Sequence, residues 1–259
     1  MQDPESRTPH APPPFPATQP PAAPSTPPAF QAPASVLLLI AVLLLVHLLR
    51  LHVLSPGQDL VLLATLAVFP ELYAVWWQGV ALSRLPVEGI GLLLSPFGHF
   101  FLHASWPHVI MNALWLLVFA TPVARRLGGL RMLLLALLSA AGGALLFVLL
   151  HWGEEALLVG ASGGVSGLMG ASVRLIYAHG LPLLAGLRQD VRHVQPLSLR
   201  QALLLPRPRL FILVWIGINI VITFTGMGVG SGMGRIAGEA HIGGFFTGMA
   251  LFGLLDRRR

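Results

Sequence analysis

The sequence predicts an all-α, polytopic membrane protein built as a bundle of six transmembrane helices. Of its 259 residues, 55% are hydrophobic and only 10% are charged, and the mean hydropathy is +0.76. Charged residues make up roughly a quarter of an ordinary soluble domain. Several apolar runs also reach the roughly 20 residues that a helix needs to cross the hydrocarbon core of a bilayer. A water-soluble fold of this length could not hide so much apolar surface.

The basic residues do not indicate nucleic-acid binding, although the formal net charge is +6 and the pI is near 11.4. All 16 are arginines, and they cluster at the ends of apolar runs, which is the arrangement that sets orientation in a membrane. The sequence has no basic stripe with interleaved aromatic residues, as nucleic-acid-binding elements carry. The absence of cysteine excludes disulfides, thiolate catalysis and cysteine metal sites.

Residues 1–33 form a Pro-rich segment that we predict to be a disordered cytoplasmic tail. It contains 12 prolines among Ala, Ser, Thr and Gln, a composition that favours extended, solvated chain over a packed core. It differs from a signal peptide because no basic start leads into a short apolar stretch.

A six-span membrane domain is predicted for residues 34–255. The spans are expected at 34–50, 107–123, 131–151, 161–179, 209–225 and 239–255. Residues 51–106 form the first loop, whose apolar stretch at 59–82 suits an interfacial element because Pro70, Glu71 and an aromatic cluster interrupt it. A seventh span over 59–82 is the alternative. Residues 256–259 form a basic cytoplasmic end.

The arginine distribution predicts that both termini lie in the cytoplasm. With six spans, three of the 16 arginines, namely Arg50, Arg84 and Arg235, fall on the outer side and the other thirteen on the cytoplasmic side. An excess of this kind orients a multi-pass protein. The use of arginine alone, with much Ala, Leu and Gly, fits a high-GC bacterium, so the expected location is the bacterial inner membrane.

The unusual polar residues of the apolar spans fall on one side of the membrane. His108 and Asn112 lie in the first turns of the second span, Ser162 starts the fourth and His241 starts the sixth. All three spans begin on the outer side, so these side chains are expected to converge at one depth. Polar groups there are costly unless they face the bundle interior or a water-filled cavity, so we interpret them as functional.

Ser162 stands in the motif Gly160-Ala161-Ser162-Gly163, at the most Gly-dense helix start of the chain. The small-xxx-small pairs Gly163 with Gly167 and Gly244 with Gly248 predict close packing of the fourth and sixth spans. Such packing would bring Ser162 within hydrogen-bond reach of His241, as removal of the hydroxyl proton by a base requires. The alternative is that Ser162 only caps a helix and the glycines only pack.

An acyl-transfer site also needs hydrogen-bond donors for the developing oxyanion. His108 and Asn112 share one helix face, and the Ser162 N–H is free at a helix start, so these three groups are the predicted oxyanion hole. No acidic residue is placed to orient His241, because Glu239 lies two positions away and points about 200° around the helix. We therefore predict a Ser162–His241 dyad without an acid.

His99 and His103, at i and i+4, raise a metal site as an alternative, since this spacing can ligate zinc. No glutamate stands between them as in metalloproteases. We expect both to hydrogen-bond loop backbone and support the segment's shape, and we predict neither a metal nor another cofactor.

The loop 226–238 contains six glycines. Such a stretch is flexible and directly precedes the sixth span, so it is expected to cap the site and control the entry of water and substrate. An ordinary surface loop is the alternative.

Three motifs in this order resemble the rhomboid family of intramembrane serine proteases. They are His99-xxx-His103-xxxx-His108-xxx-Asn112, Gly160-Ala161-Ser162-Gly163 and Ala240-His241-Ile242-Gly243-Gly244. The resemblance covers about residues 34–255 and implies a six-helix rhomboid-like bundle. It implies that Ser162 is the nucleophile, His241 the general base, and His108, Asn112 and the Ser162 amide the oxyanion hole. Family members cut the transmembrane segments of other proteins and need no metal or ATP.

Two positions depart from the family pattern. Many members have a Trp-Arg pair in the first loop, where this chain has Leu94-Ser95. Many also have an aromatic residue four positions after the nucleophile, where this chain has Ser166. Neither change removes a catalytic atom. Both concern the shape of the site.

The predicted function is hydrolysis of peptide bonds in or near transmembrane segments of membrane-protein substrates. A catalytically inactive relative that binds client helices is one alternative, but such a protein would be expected to lack the Ser or the His. A small transporter that uses the histidines for metal or protons is another, but no intramembrane carboxylate accompanies them. The sequence assigns neither an oligomeric state nor a particular substrate.

Overall fold

The computed structural model describes residues 32–79, 86–179, 191–225 and 236–256. Within these ranges the protein is helical, with no β-structure beyond one isolated antiparallel bridge between Val68 and Leu158. The helices are α1 (Ala34–His52), α2 (Pro56–Leu66), α3 (Pro70–Trp77), α4 (Pro86–Gly98), α5 (Trp106–Leu127), α6 (Gly129–Leu150), α7 (Ser162–Ile176), α8 (Leu199–Leu204), α9 (Pro206–Thr225) and α10 (Gly238–Leu255). Short 3-10 turns follow α4 at His99–Phe101 and α7 at Tyr177–His179.

Six helices, α1, α5, α6, α7, α9 and α10, occupy the ranges predicted as spans. Four of them, α1, α5, α6 and α9, are long and apolar enough to cross a membrane by length and composition alone. The other two are α7, which begins with Ser162 and has only 15 residues, and α10, which carries His241. The prediction of an all-α integral membrane protein is confirmed.

The apolar stretch at 59–82 does not form a single helix. Its described part is divided between α2, of 11 residues, and α3, of eight, which Pro70 starts. Neither reaches the roughly 20 residues that a span needs. Trp76 and Trp77 are 57% and 73% exposed. The described part of 59–82 therefore contains no single helix of span length, and the interfacial element stays a prediction.

Glycines allow α7 and α10 to pack backbone to backbone. A methyl group at Gly244 would overlap the carbonyl of Gly163, and one at Gly248 would overlap the carbonyl of Gly167. The two contacts advance together along both helices, so α7 and α10 run parallel. Helix α6 packs against both in a similar manner, because Gly143 lies against the carbonyl of Ala240 on α10 and Gly164 of α7 lies against the carbonyl of Ala136.

Buried arginines link the chain at the end of the bundle where α5, α7 and α10 finish. Arg126, at the end of α5, donates from Nε and Nη2 to the carboxylate of Asp256 at 3.0 and 2.9 Å. Arg174, at the end of α7, donates to the carbonyls of Leu197 and Met249 at 2.7 and 2.9 Å. Two arginines of the predicted cytoplasmic side thus also link the helix ends.

Some predicted segments lie outside the described residues. They are the Pro-rich tail up to residue 31, residues 226–235 of the Gly-rich loop and the last three residues.

Candidate active site

The predicted catalytic residues lie at one end of the bundle. Ser162 is the first residue of α7, His241 the fourth of α10 and His108 the third of α5. Because α7 and α10 run parallel, their first turns are neighbours: a Cβ at Gly163 would lie 3.5 Å from the carbonyl oxygen of Ala240. The residues next to Ser162 and His241 in sequence therefore face each other.

The hydroxyl of Ser162 is not used as a helix cap. The cap position of α7 is Ala161, and no side chain caps this end of the helix. By contrast, Ser55, Ser105 and Ser198 each accept a backbone N–H at the start of α2, α5 and α8. The capping interpretation of Ser162 is therefore not supported, and its Oγ is left for other chemistry.

The segment before Ser162 is held by the two histidines of the first loop. The carbonyl of His99 accepts the Gly160 N–H at 2.9 Å, while the His99 ring bonds the Ser95 carbonyl at 2.8 Å. Nε2 of His103 accepts the Ala161 N–H at 3.4 Å. Burial lowers the pKa of His99 to about 4 and is the main reason that the pKa of His103 is lowered to about 3. Both rings are therefore neutral near pH 7, and His103 can accept through Nε2.

His108 reaches the same segment from α5. The ideal Cβ position at Gly160 lies 2.6 Å from His108 Nε2 and 3.8 Å from Ser162 Oγ, so the imidazole and the hydroxyl flank this glycine. Gly160 has a φ of +121°, a conformation that side-chain-bearing residues rarely adopt. One turn further along α5, the buried Asn112 donates from Nδ2 to the His108 carbonyl at 3.0 Å, which leaves its second N–H.

His241 has partners on α9 that sequence reasoning missed. Its Nδ1 lies 2.7 Å from Oδ1 of Asn219, and its ring lies near-parallel to that of Trp215, at 6.4 Å between centroids and 25°. In the sequence, Asn219 is an amide within an apolar span, which indicates that it has a polar partner inside the bundle. Among the described residues, no hydrogen bond joins Ser162 Oγ directly to His241.

A family model for the Rhomboid domain matches residues 92–258 of the chain. The chain belongs to the rhomboid family. Members of this family are usually intramembrane serine proteases, and the family acts on membrane-protein substrates within the bilayer. No match was found among curated proteins.

In this rhomboid protein, the carboxylate of Glu239 faces away from His241. Its Oε1 lies 2.8 Å from Nε2 of His151, in the turn after α6, and its Oε2 accepts the Thr223 hydroxyl at 2.8 Å. His151 also bonds Glu154 at 2.7 Å. Glu239 thus links the ends of α6, α9 and α10.

An arginine and an aromatic ring contact this region from positions other than the two that depart from the rhomboid pattern. An arginine reaches the first loop from α1, because Arg50 donates to the His103 carbonyl at 2.9 Å and pairs with Asp59. Trp215 is the aromatic ring beside His241, and it lies on α9, whereas Ser166 lies on α7. Across the described ranges, no three His, Cys, Asp or Glu side chains are grouped as ligands for a metal ion.

Proposed function

We propose that the protein is an intramembrane serine endopeptidase that hydrolyses peptide bonds in or near transmembrane segments of other membrane proteins. Ser162 is the nucleophile and His241 is the general base. The observation that carries this proposal is the parallel contact of α7 and α10, which brings an uncapped Ser162 and the partly buried His241 to the same end of the bundle.

The first half of the reaction forms an acyl-enzyme. Nε2 of His241 removes the proton of Ser162 Oγ as the oxygen attacks the substrate carbonyl carbon. His241 then gives this proton to the departing amine, and the peptide C–N bond breaks. In the second half, His241 takes a proton from water, the hydroxide attacks the acyl carbon, and the bond to Ser162 Oγ breaks as this oxygen is protonated again.

The oxyanion of each tetrahedral intermediate would accept hydrogen bonds from three groups. They are the N–H of Ser162, Nε2–H of His108, which faces Gly160, and the second Nδ2–H of Asn112. In serine proteases, loss of one such donor costs about 10²- to 10³-fold in kcat. His99 and His103 support the hole indirectly, by holding the backbone at Gly160 and Ala161.

The arginine asymmetry supports a multi-pass location with both termini in the cytoplasm and the site near the outer face. The bacterial inner membrane is the proposed location. Substrate helices would enter from the lipid and water from the outer side. The tail at 1–33, the six-span domain at 34–255 and the cap at 226–238 complete the proposed organisation.

The proposal is tested with a serine-directed fluorophosphonate probe on the protein in detergent or lipid. Wild type should be labelled, whereas Ser162→Ala should not be, and His241→Ala should label at least about a thousandfold more slowly. Ser166→Ala, a change of a buried serine one turn along the same helix, is the matched control and should label like wild type. Labelling that survives Ser162→Ala would contradict the assignment. A wild type that neither labels nor cleaves would favour an inactive relative.

A further inference from the structure

The side-chain amide of Asn219 has a defined orientation within α9. Asn219 is only 1% exposed. Its Nδ2 donates to the Trp215 carbonyl, one turn earlier, at 2.8 Å. A carbonyl oxygen can only accept, so the amide nitrogen must face Trp215 and the amide oxygen must face His241. The backbone of α9 therefore determines which end of the amide meets the imidazole.

This orientation determines which nitrogen of His241 carries the proton. An amide oxygen has no hydrogen, so in the 2.7 Å contact Nδ1 of His241 is the donor. In a neutral imidazole, a proton on Nδ1 leaves the lone pair on Nε2. The ring is thereby prepared to accept a proton at the nitrogen that is opposite Asn219.

We propose that Asn219 is a positioning residue that holds His241 in the Nδ1–H tautomer and orients its Nε2 as the base for Ser162. This role rests on the proposed protease function. The oxygen of Asn219 also stabilises the imidazolium that forms during the reaction, and it does so without adding a charged group within the membrane domain, where charges are costly. The dyad predicted from the sequence is thereby extended by a neutral third member.

Two further contacts keep Asn219 in register with His241. The Trp215 ring lies beside the imidazole at 6.4 Å. A methyl group at Gly238 would overlap the carbonyl of Asn219, so α9 and the start of α10 touch through backbone. The tautomer of the base therefore depends on how α9 packs against α10.

The first test compares Asn219→Ala with Thr223→Ala. Each variant removes one side-chain hydrogen bond between α9 and α10, but only the first removes the bond to His241. We expect Asn219→Ala to lower kcat for a cleaved substrate about 10- to 100-fold with little change in KM, less than the ~10⁴-fold that a wrong tautomer costs a charged triad. Thr223→Ala should change kcat less than about twofold. Equal effects of the two substitutions would overturn the positioning role.

The conservative variant Asn219→Asp gives a readout that helix packing would not change. A carboxylate beside Nδ1 stabilises the protonated imidazole, which cannot act as a base. The acid limb of the profile of kcat/KM against pH should therefore move to higher pH, while activity above the limb is retained. An unchanged limb in an active Asn219→Asp protein would contradict a direct contact between this residue and the base.

The tautomer can be measured without any activity. In ¹⁵N-histidine-labelled protein, the His241 signals are assigned by their loss in His241→Gln, and their shifts report which nitrogen carries the proton. We expect Nδ1–H in wild type and a mixture of both tautomers in Asn219→Ala. An Nε2–H tautomer in wild type would overturn the inference.

The proposed function and the positioning role fail in different ways. If Ser162-dependent labelling fails, the proposed function is wrong. If labelling succeeds and Asn219→Ala behaves as Thr223→Ala does, only the positioning role is wrong.

Discussion

Nε2 of His103 accepts a hydrogen bond from the backbone N–H of Ala161 at 3.4 Å, across 58 positions of sequence. His103 precedes α5 and Ala161 is the cap residue of α7, so one neutral ring connects the first loop to the residue before Ser162. The His99 carbonyl bonds the adjacent Gly160 N–H. The loop thus supports the backbone that carries the proposed nucleophile and oxyanion hole.

Replacing His103 by Ala should slow the fluorophosphonate reaction of Ser162 about tenfold and lower thermal stability. The substitution leaves the buried Ala161 N–H without an acceptor, which costs roughly 1–3 kcal/mol. The measurements are the labelling rate and the unfolding midpoint in detergent. His52→Ala, at an exposed histidine ending α1, is the control and should leave both unchanged. Equal labelling rates for the two variants would argue against support of Ser162 by His103.

The buried histidines of the first loop predict a loss of stability in acid. Burial is the main cause that lowers the pKa of His99 to about 4 and that of His103 to about 3, from 6.5. Between about pH 6.5 and 4 the unfolded chain therefore binds more protons than the folded one, so stability falls as pH falls. The unfolding midpoint in detergent should drop through this window. His103→Gln, which cannot titrate, should show a shallower drop; an identical slope would exclude His103 as a source.

Gly160→Ala should slow labelling of Ser162 more than its backbone strain alone explains. Alanine at the φ of +121° is strained, and its Cβ would lie 2.6 Å from His108 Nε2. Gly128→Ala is the matched control, because Gly128 has a φ of +83° and nothing lies within 4 Å of its Cβ position. Each variant should lose about 1–3 kcal/mol of stability to the backbone conformation. Only Gly160→Ala should also slow labelling, by about 10²- to 10³-fold, as removal of an oxyanion donor does. Similar labelling of both variants would show that His108 is not needed.

The sequence predicted the helices better than the contacts between them. The predicted spans at 34–50 and 239–255 end within a few residues of α1 and α10, since Pro, Gly and charged residues mark the ends of apolar runs. The contact between Asn219 and His241 could not be predicted, because it depends on the register of α9 against α10. No local periodicity records that register. The same holds for the bond from Arg50 to the His103 carbonyl, which joins residues 53 positions apart.

The glycine contacts between α7 and α10 predict a steep position dependence for alanine substitutions. A methyl group at Gly248 would overlap the carbonyl of Gly167. The carbonyl is part of the helix backbone and the methyl carbon is bonded directly to it, so neither can rotate away. Separation of the helices would also move His241 away from Ser162. We therefore expect Gly248→Ala to lower the free energy of unfolding by about 1–3 kcal/mol or more and to slow labelling of Ser162. Gly217→Ala on α9 is the matched control, because nothing lies within 4 Å of its Cβ position and alanine favours a helix by about 1 kcal/mol. Thermal unfolding in detergent and the labelling rate, measured on both variants, decide the matter. Equal stability of the two proteins would mean that close packing of α7 and α10 does not hold the site together.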